Sequence, residues 1–207
     1  MKGLILKDLY TLKQQGRITL LLAAFYLLYS FMTNNPGMFS ILIIVISLLL
    51  PLTSVAYDEH CRWDRYALSM PVSRRTIVVS KYLLSVGLTI LATIIVLIAN
   101  VVFVSYFNLG DLDATIAGSL GVCMAALVFN AVLFPLLFKF GVQKARILLM
   151  IVGFIPLLVV VLGSKYFNID LSGVDFERII YFIPIIVLVL LVGSLLLSIK
   201  VYQKKEF

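Results

Sequence analysis

Few side chains in this sequence are of a kind that does chemistry, and their spacing matches no common catalytic or metal site. The single histidine, His60, has no second ligand near it, which indicates a solvated loop residue rather than a metal ligand. No GxxxxGK motif occurs, so the chain lacks the phosphate-binding loop with which P-loop ATPases hold ATP. Cys61 and Cys123 lie in a charged segment and in an apolar run, so we expect two thiols rather than a disulfide. We therefore predict that the chain is not an enzyme and binds no metal or cofactor of its own.

The charged residues are concentrated in residues 57–81, YDEHCRWDRYALSMPVSRRTIVVSK, while most of the chain consists of apolar runs. This segment holds five of the 17 Lys and Arg residues and three of the ten Asp and Glu residues. We expect any function that involves a water-soluble partner to use this segment.

Residues 58–70 are predicted to form a short amphipathic helix. Nothing in this range breaks a helix, and an apolar, aromatic face follows from the i, i+3, i+4, i+7 spacing of Trp63, Tyr66, Ala67 and Met70. Such a face would lie on the lipid interface or fill a groove on a partner protein, and Trp, Tyr and Arg are the residue types that dominate protein contacts.

The flanks of this helix also carry local signals. Asp58 and Arg62 are four residues apart and are expected to form an ion pair on its polar side. Pro71 is expected to end the helix, and Ser73 is the predicted N-cap of the helix that follows.

The elements around this segment are predicted to cross a membrane. With 62% hydrophobic and 13% charged residues, the chain is far from soluble proteins, in which about a quarter of the residues are charged. The sequence predicts an all-α polytopic membrane protein with one transmembrane domain, residues 1–207. Its apolar runs predict six transmembrane helices, at about 18–33, 38–56, 82–107, 114–138, 147–163 and 179–199.

The segments that join these runs are short. Residues 1–17 separate apolar and polar residues onto different faces, which predicts an N-terminal helix in the membrane interface or a helical extension of the first span. Residues 139–146 are predicted to form a basic loop, and residues 164–178 an external loop.

Lysine and arginine residues are distributed unevenly between the two sides of the predicted membrane domain. Four precede the first span, five lie in residues 57–81, three in residues 139–146 and three after the sixth span, whereas the other side has only Lys165 and Arg178. Because basic residues collect in cytoplasmic loops, both termini and residues 57–81 are predicted to be cytoplasmic. The same rule accounts for the net charge of +7, so we expect no nucleic-acid partner.

The predicted spans contain no Asp, Glu, Lys, Arg or His away from their ends. Ion-coupled carriers usually need an ionisable group at membrane depth, so this class is disfavoured. The strongest polar groups inside the spans are Asn100 and Asn130, which would form interhelical hydrogen bonds or contact a substrate. Pro135 would kink the fourth span, either for packing or as part of a moving pathway.

Several short motifs resemble those of a known family. Asp58 and Glu59 are followed by WDRY at 63–66, LSMPVSR at 68–74 and VSKY at 79–82, and LKDL stands at 6–9. These motifs resemble the loop between the second and third spans, and the N-terminal helix, of small ABC-2 type permeases, the membrane subunits of bacterial ABC exporters. The six predicted spans agree with that family along the whole chain.

The resemblance implies a cytoplasmic coupling helix that sits in a cleft of a separate ABC ATPase subunit, which binds ATP and Mg²⁺. It also implies a working unit of two permeases, as a homodimer or a heterodimer with a paralogue, and two ATPases in the bacterial plasma membrane. The ATPase-coupling interface that it implies consists of Asp58, Glu59, Arg62, Trp63, Arg65, Tyr66, Met70 and Arg74. A partner ATPase would supply the energy for which this chain has neither an intramembrane charge nor a phosphate loop.

We therefore expect the permease subunit of an exporter that moves an amphipathic or hydrophobic substrate outward by alternating access. An antimicrobial or toxin-type peptide is the first candidate, and a lipid or hydrophobic drug remains open. Asn100, Asn130 and Pro135 are the candidate pathway or packing residues. The alternative is a non-transporting docking, sensor or immunity protein that binds a cytosolic partner through residues 58–70.

Overall fold

A computed structural model describes the backbone of residues 2–33, 35, 37–69, 73–107, 112–166 and 176–204. Within these ranges it describes all side chains except those at 2, 14, 15, 64, 65, 68, 107, 149, 152–166 and 176–181. The helices in chain order are α1 (Lys2–Thr33), α2 (Gly37–His60), α3 (Trp63–Ser69), α4 (Arg74–Phe107), α5 (Leu112–Tyr166) and α6 (Phe176–Gln203). The predicted all-α class is confirmed.

Five helical segments in the described part are long and apolar enough to cross a membrane. They are Gly16–Thr33, Gly37–His60, Arg74–Tyr106, Leu112–Leu148 and Phe182–Gln203. Large apolar side chains also cover the outer surface, such as Leu20, Leu21 and Met32 of α1, which are 72%, 71% and 84% exposed. The chain is therefore a polytopic membrane protein, as predicted. The predicted fifth span, at 147–163, falls mainly on residues whose side chains are not described. This span therefore stays a prediction.

The N-terminal segment continues into the first span as one helix, α1, without a break at Gly16. Asp8 and Leu12, within the predicted interfacial helix, are 1% and 7% exposed because other helices cover them. Of the two alternatives for residues 1–17, the described residues form a helical extension that packs on the bundle.

The predicted basic loop at 139–146 is wrong in its extent. Helix α5 runs through this range and is broken only at Gly141, with φ 77° and ψ 170°. Glycine adopts a positive φ readily because it has no Cβ. A single residue therefore interrupts the helix where a loop of eight residues was predicted. The break divides α5 into the parts 112–140 and 142–166.

The predicted helix at 58–70 is also corrected. Helix α2 continues to His60, a turn at Cys61 and Arg62 follows, and α3 spans only Trp63–Ser69. Arg62 has a positive φ of 51°, a conformation that ends helices. The apolar spacing predicted one helix from residue 58 to residue 70. In the structure, residues 58–60 belong to α2 instead, because the contacts of Asp58 and Glu59 hold the end of α2 in the bundle. Met70 and Pro71 lie outside the described residues.

The helices alternate in direction across the bundle. Asp58 at the end of α2 contacts Lys7 near the start of α1 and Lys81 near the start of α4. We call this end of the bundle the charged end. At the opposite end, Asn100 near the end of α4 donates to Ser119 near the start of α5. Helix α2 is thus antiparallel to α1 and α4, and α5 begins far from the charged end.

Two clusters of buried apolar side chains hold the helices together. The cluster nearer the charged end centres on stacked rings of α4 and α5, with the centroids of Tyr82 and Phe134 4.3 Å apart. Tyr202 of α6 joins it through an edge contact with Phe138, at 5.4 Å. The second cluster contains Phe39, Leu42 and Ile43 of α2, Val96 of α4 and Ala126 of α5. In lipid, such packing replaces the hydrophobic effect as the force between helices.

Candidate functional site

Four charged side chains from three helices form a cluster at the charged end. Lys7 Nζ lies 2.5 Å from Asp58 Oδ1, and Lys81 Nζ lies 2.5 Å from Asp58 Oδ2. Asp8 Oδ1 is 2.8 Å from Lys81 Nζ and 3.1 Å from Lys7 Nζ. Each lysine thus contacts both carboxylates, and α1, α2 and α4 are joined by charge. We call Lys7, Asp8, Asp58 and Lys81 the ion cluster.

The ion cluster is buried enough for its pairing to matter. The side chains of Asp8 and Lys81 are only 1% and 6% exposed, and those of Asp58 and Lys7 are 14% and 25% exposed. Two positive and two negative groups make the cluster neutral, and Lys81 also donates a 2.7 Å hydrogen bond to Ser54 Oγ of α2. Buried charges are tolerated when they are paired and hydrogen-bonded, whereas removal of one partner leaves an uncompensated charge. The cluster therefore holds the starts of α1 and α4 against the end of α2.

The neighbour of Asp58 reaches a different helix. Glu59 Oε2 accepts a 2.8 Å hydrogen bond from the backbone N–H of Val142, the first residue after the break in α5. The first N–H groups of a helix have no partner within the helix, and a carboxylate there also meets the positive end of the helix dipole. Glu59 therefore caps the part 142–166 of α5.

One side of helix α3 packs against the charged end of the bundle. Ala67 is 1% exposed, Trp63 is half-buried, and the ammonium of Lys7 lies 4.4 Å from the centroid of the Trp63 ring. A cation over an indole ring is an attractive contact, so α3 is attached to the ion cluster. Tyr66, by contrast, is 67% exposed. The predicted apolar face is thus divided, with Trp63 and Ala67 turned toward the bundle and Tyr66 turned outward.

The start of α4 is tied to the end of α6. Arg74 Nη1 donates a 2.6 Å hydrogen bond to the backbone oxygen of Gln203. The last carbonyl groups of a helix lack partners within it, so an arginine is a suitable cap there. The predicted N-cap of α4 is confirmed, because Ser73 Oγ accepts a 3.2 Å hydrogen bond from the N–H of Thr76.

The structure separates the residues of the predicted ATPase-coupling interface. Asp58 and Glu59 make contacts within the chain, and the predicted Asp58–Arg62 ion pair is wrong, because Lys7 and Lys81 occupy the Asp58 carboxylate. Arg62 is exposed. The side chain of Arg65 and all of Met70 lie outside the described residues.

Inside the bundle, α2 carries three buried serines spaced by seven residues, Ser40, Ser47 and Ser54. Each receives a hydrogen bond from a nitrogen on α4 or α5, which comes from Asn100, Asn130 or Lys81 respectively. We call these contacts the serine ladder. Because seven residues are close to two helical turns, the three serines point in the same direction along α2.

The predicted pathway or packing residues lie on or near the serine ladder. Asn100 Nδ2 is 3.0 Å from Ser40 Oγ and 2.9 Å from Ser119 Oγ. Asn130 is fully buried and also accepts a 2.8 Å hydrogen bond from Ser85 Oγ. Pro135 is half-buried within α5, whose break lies at Gly141 instead. These contacts favour packing over substrate contact for both asparagines.

The sequence reasoning missed Lys7, Asp8 and Lys81, the capping role of Glu59 and the break at Gly141. The charges lie at the ends of apolar runs, where solvation is the ordinary expectation. Two signals were present: the seven-residue spacing of serines on α2, and the VSKY motif, which places Lys81 next to Tyr82. In the part of the chain that the structure describes, no three His, Cys, Asp or Glu residues form a group suited to a metal ion.

A model of the ABC-2 family transporter proteins matches residues 3–203. No curated protein and no solved structure matches the chain. Membrane components of this family are typically not catalytic, bind no cofactor and work with an ATPase subunit. The match extends over nearly the whole sequence, and the fold supplies the membrane spans that such a component needs. The chain therefore belongs to the ABC-2 transporter family, as a membrane component.

Proposed function

We propose that this chain is the permease subunit of an ATP-driven exporter, and that residues 58–74 receive motion from a separate ATPase. The observation that carries this proposal is the connection of these residues to every long helix of the bundle. Asp58 binds α1 and α4 through the ion cluster, Glu59 caps α5, and Arg74 binds the end of α6. A force applied to this short segment would therefore reach all of these helices.

The surface that meets the ATPase would be the exposed side of residues 60–75. We call this surface the docking face, and its described residues are His60, Cys61, Arg62, Tyr66, Ser69, Ser73 and Arg75. Tyr66 and Arg62 are of the residue types that dominate protein interfaces. Asp58 and Glu59, which the resemblance assigned to the interface, would instead pass on the motion inside the permease.

Orientation and assembly follow from the same proposal. The excess of basic residues at the termini and in residues 57–81 supports a cytoplasmic charged end, with both termini cytoplasmic in a bacterial plasma membrane. ATP and Mg²⁺ would bind to two ATPase subunits, and a second permease, identical or paralogous, would complete the unit. ATP-driven closure of the ATPases would move the docking faces and shift the permease pair between inward-open and outward-open states.

The substrate class is inferred from the side chains that the membrane-spanning helices could present to a substrate. Asn100 and Asn130 form hydrogen bonds with other helices of the same chain, which supports a pathway between two permease copies rather than through one. The apolar surface of the spans suits an amphipathic or hydrophobic substrate. A peptide of the antimicrobial or toxin type is the substrate that we propose first.

The proposal is tested by purification of the tagged permease from its native host, followed by measurement of bound ATPase and of ATP turnover in lipid nanodiscs. We expect an ATPase to co-purify, with turnover that depends on the permease. Tyr66→Ala combined with Arg62→Glu should lower both the bound ATPase and the permease-dependent turnover. Tyr106→Ala is the matched control, because Tyr106 is 81% exposed near the end of α4, away from the charged end. Normal ATPase binding by the docking-face variant would contradict the assignment of the docking face.

A non-transporting docking, sensor or immunity protein would also present an exposed Tyr66 and Arg62. Such a protein needs a firm docking face but no connection from that face to α5 and α6. The contacts of Glu59 and Arg74 therefore favour transport. A bound ATPase whose turnover is independent of the permease would support the non-transporting alternative.

A further inference from the structure

Gly141 and Glu59 fit each other at the break in α5. With φ 77° and ψ 170°, Gly141 has a backbone conformation that residues with a side chain rarely adopt. A Cβ at this position would lie 2.8 Å from Glu59 Oε1, closer than such atoms approach each other. The absence of a side chain at Gly141 thus serves two purposes, because it permits the break and leaves room for the carboxylate that caps Val142.

The contact of Glu59 differs in kind from that of Asp58. The Asp58 carboxylate is shared by two lysines in a buried cluster, so its separation would leave charges unpaired away from water. Glu59 is an exposed residue, and its carboxylate holds the N–H of Val142. This single hydrogen bond joins Glu59 to the part 142–166, so the contact can turn without separating buried charges. The Asp58 contacts are therefore suited to holding α1, α2 and α4 in one arrangement. The Glu59 contact is suited to a connection about which the part 142–166 of α5 can change its angle.

We propose that Glu59 is a positioning residue that couples the docking face to the part 142–166 of α5, with Gly141 as the hinge. When the ATPase moves residues 60–75, the Glu59 carboxylate pulls the N-terminus of this part and changes its angle to the part 112–140. The ion cluster keeps α1, α2 and α4 together during this movement. This inference rests on the proposed function, because the ATPase supplies the motion.

The angle between the two parts of α5 is measurable in the complete complex. Cys61→Ser and Cys123→Ala remove the two native cysteines, and cysteines at the exposed positions Val132 and Ile151 then carry spin labels on either side of Gly141. With an excess of unlabelled permease, so that one copy per complex carries labels, pulsed electron paramagnetic resonance reports the distance between the two labels in nucleotide-free complexes and in complexes trapped with ATP and vanadate. ATP turnover of the same samples shows whether the permease and the ATPase remain associated.

Three variants at the hinge give distinct expectations. In the parent complex, trapping should shift the distance distribution. Glu59→Gln should retain the shift, because the amide oxygen still accepts the hydrogen bond from Val142. Glu59→Ala and Gly141→Ala should lose it, the first by removal of the cap and the second by displacement of the carboxylate. Glu59→Ala keeps the test decisive if Gly141→Ala does not fold.

The possible outcomes separate this inference from the proposed function. A shift in Glu59→Ala equal to that of the parent would overturn the role of Glu59. A parent complex with permease-dependent turnover but an unchanged distance would overturn the hinge and leave the proposed function standing. A permease that binds no ATPase would remove both.

Discussion

The ammonium group of Lys81, at the start of α4, lies 2.5 Å from the carboxylate of Asp58, in the last turn of α2. Their side chains are 6% and 14% exposed, so the pair is largely shielded from water. Asp8 and Lys7 complete the pairing of both groups. The two spans that flank the docking face are thus joined by an ion pair at the charged end.

Removal of both charges of this pair should cost less than the sum of the two single removals. Asp58→Asn leaves two lysines against Asp8, and Lys81→Met leaves two carboxylates against Lys7. Breaking a buried pair in this way costs roughly 3–5 kcal/mol, and we expect the lower end because a third charge still compensates in part. The double variant retains the neutral Lys7–Asp8 pair, so its loss of stability should be smaller than the sum of the single losses. Thermal unfolding of the four proteins in detergent measures this coupling, and strict additivity would contradict the ion cluster.

Asn130 should contribute to stability through its contacts within the bundle. Asn130→Leu removes hydrogen bonds to Ser47 and Ser85, and such contacts in membrane proteins contribute about 0.6 kcal/mol on average, with a maximum of about 1.7 kcal/mol. Ser47→Ala should cost less in the Asn130→Leu background than in the parent. ATP turnover per folded complex should stay at the parent level. A loss of turnover without a loss of stability would show instead that Asn130 contacts substrate.

Alanine substitutions at two glycines of α5 should change the stability of the protein in opposite directions. Gly141→Ala forces a side chain into a positive φ and against Glu59, so we expect a loss of about 1–3 kcal/mol. Gly118→Ala is the control, because Gly118 is helical and nothing lies within 4 Å of an added Cβ. The control should be stabilised by roughly 0.5–1 kcal/mol, because alanine loses less backbone entropy in a helix. Equal melting temperatures for the two variants would contradict the strained break.

The N-cap of α4 should contribute to stability through its hydrogen bond. Ser73→Ala removes the acceptor for the Thr76 N–H and should cost about 1 kcal/mol. Ser73→Asp supplies another acceptor and should restore most of this stability. Melting temperatures of the two variants provide the comparison. If both variants lose the same stability, the hydrogen bond is not the reason for the loss.

The exposed Cys61 offers a test of orientation. Cys61 is exposed and Cys123 is buried, so a membrane-impermeant maleimide should label Cys61 alone. With a cytoplasmic charged end, labelling should occur in inside-out vesicles from cells that express the permease without its ATPase, and be absent from intact cells. Cys61→Ser is the control for labelling at other sites. Labelling of intact cells would reverse the proposed topology.

The membrane class and the presence of long apolar helices were readable from local patterns. The predicted spans 38–56, 82–107 and 179–199 lie within α2, α4 and α6, because an apolar run long enough to cross a bilayer is visible without its neighbours. The N-cap at Ser73 was equally local, since its acceptor and donor are three residues apart.

The contacts of the ion cluster were not readable in the same way. Asp8 and Lys81 are 73 residues apart, and Glu59 and Val142 are 83 residues apart. Each lies at the end of an apolar run or in a charged segment, where a solvated side chain is the ordinary expectation. The break at Gly141 was hidden because one glycine among basic residues predicts a loop as readily as a hinge.

The sequence by itself determined a helical membrane protein of the ABC-2 family with one charged segment, since composition, apolar runs and short motifs do not depend on packing. Only the tertiary structure decided what Asp58 and Glu59, two of the three acidic residues of that segment, contact. Neighbouring residues on a helix point about 100° apart, so Asp58 and Glu59 necessarily face different directions. Which partner each one meets depends on the helices around the end of α2, and these place Lys7 and Lys81 beside Asp58 and the break in α5 beside Glu59.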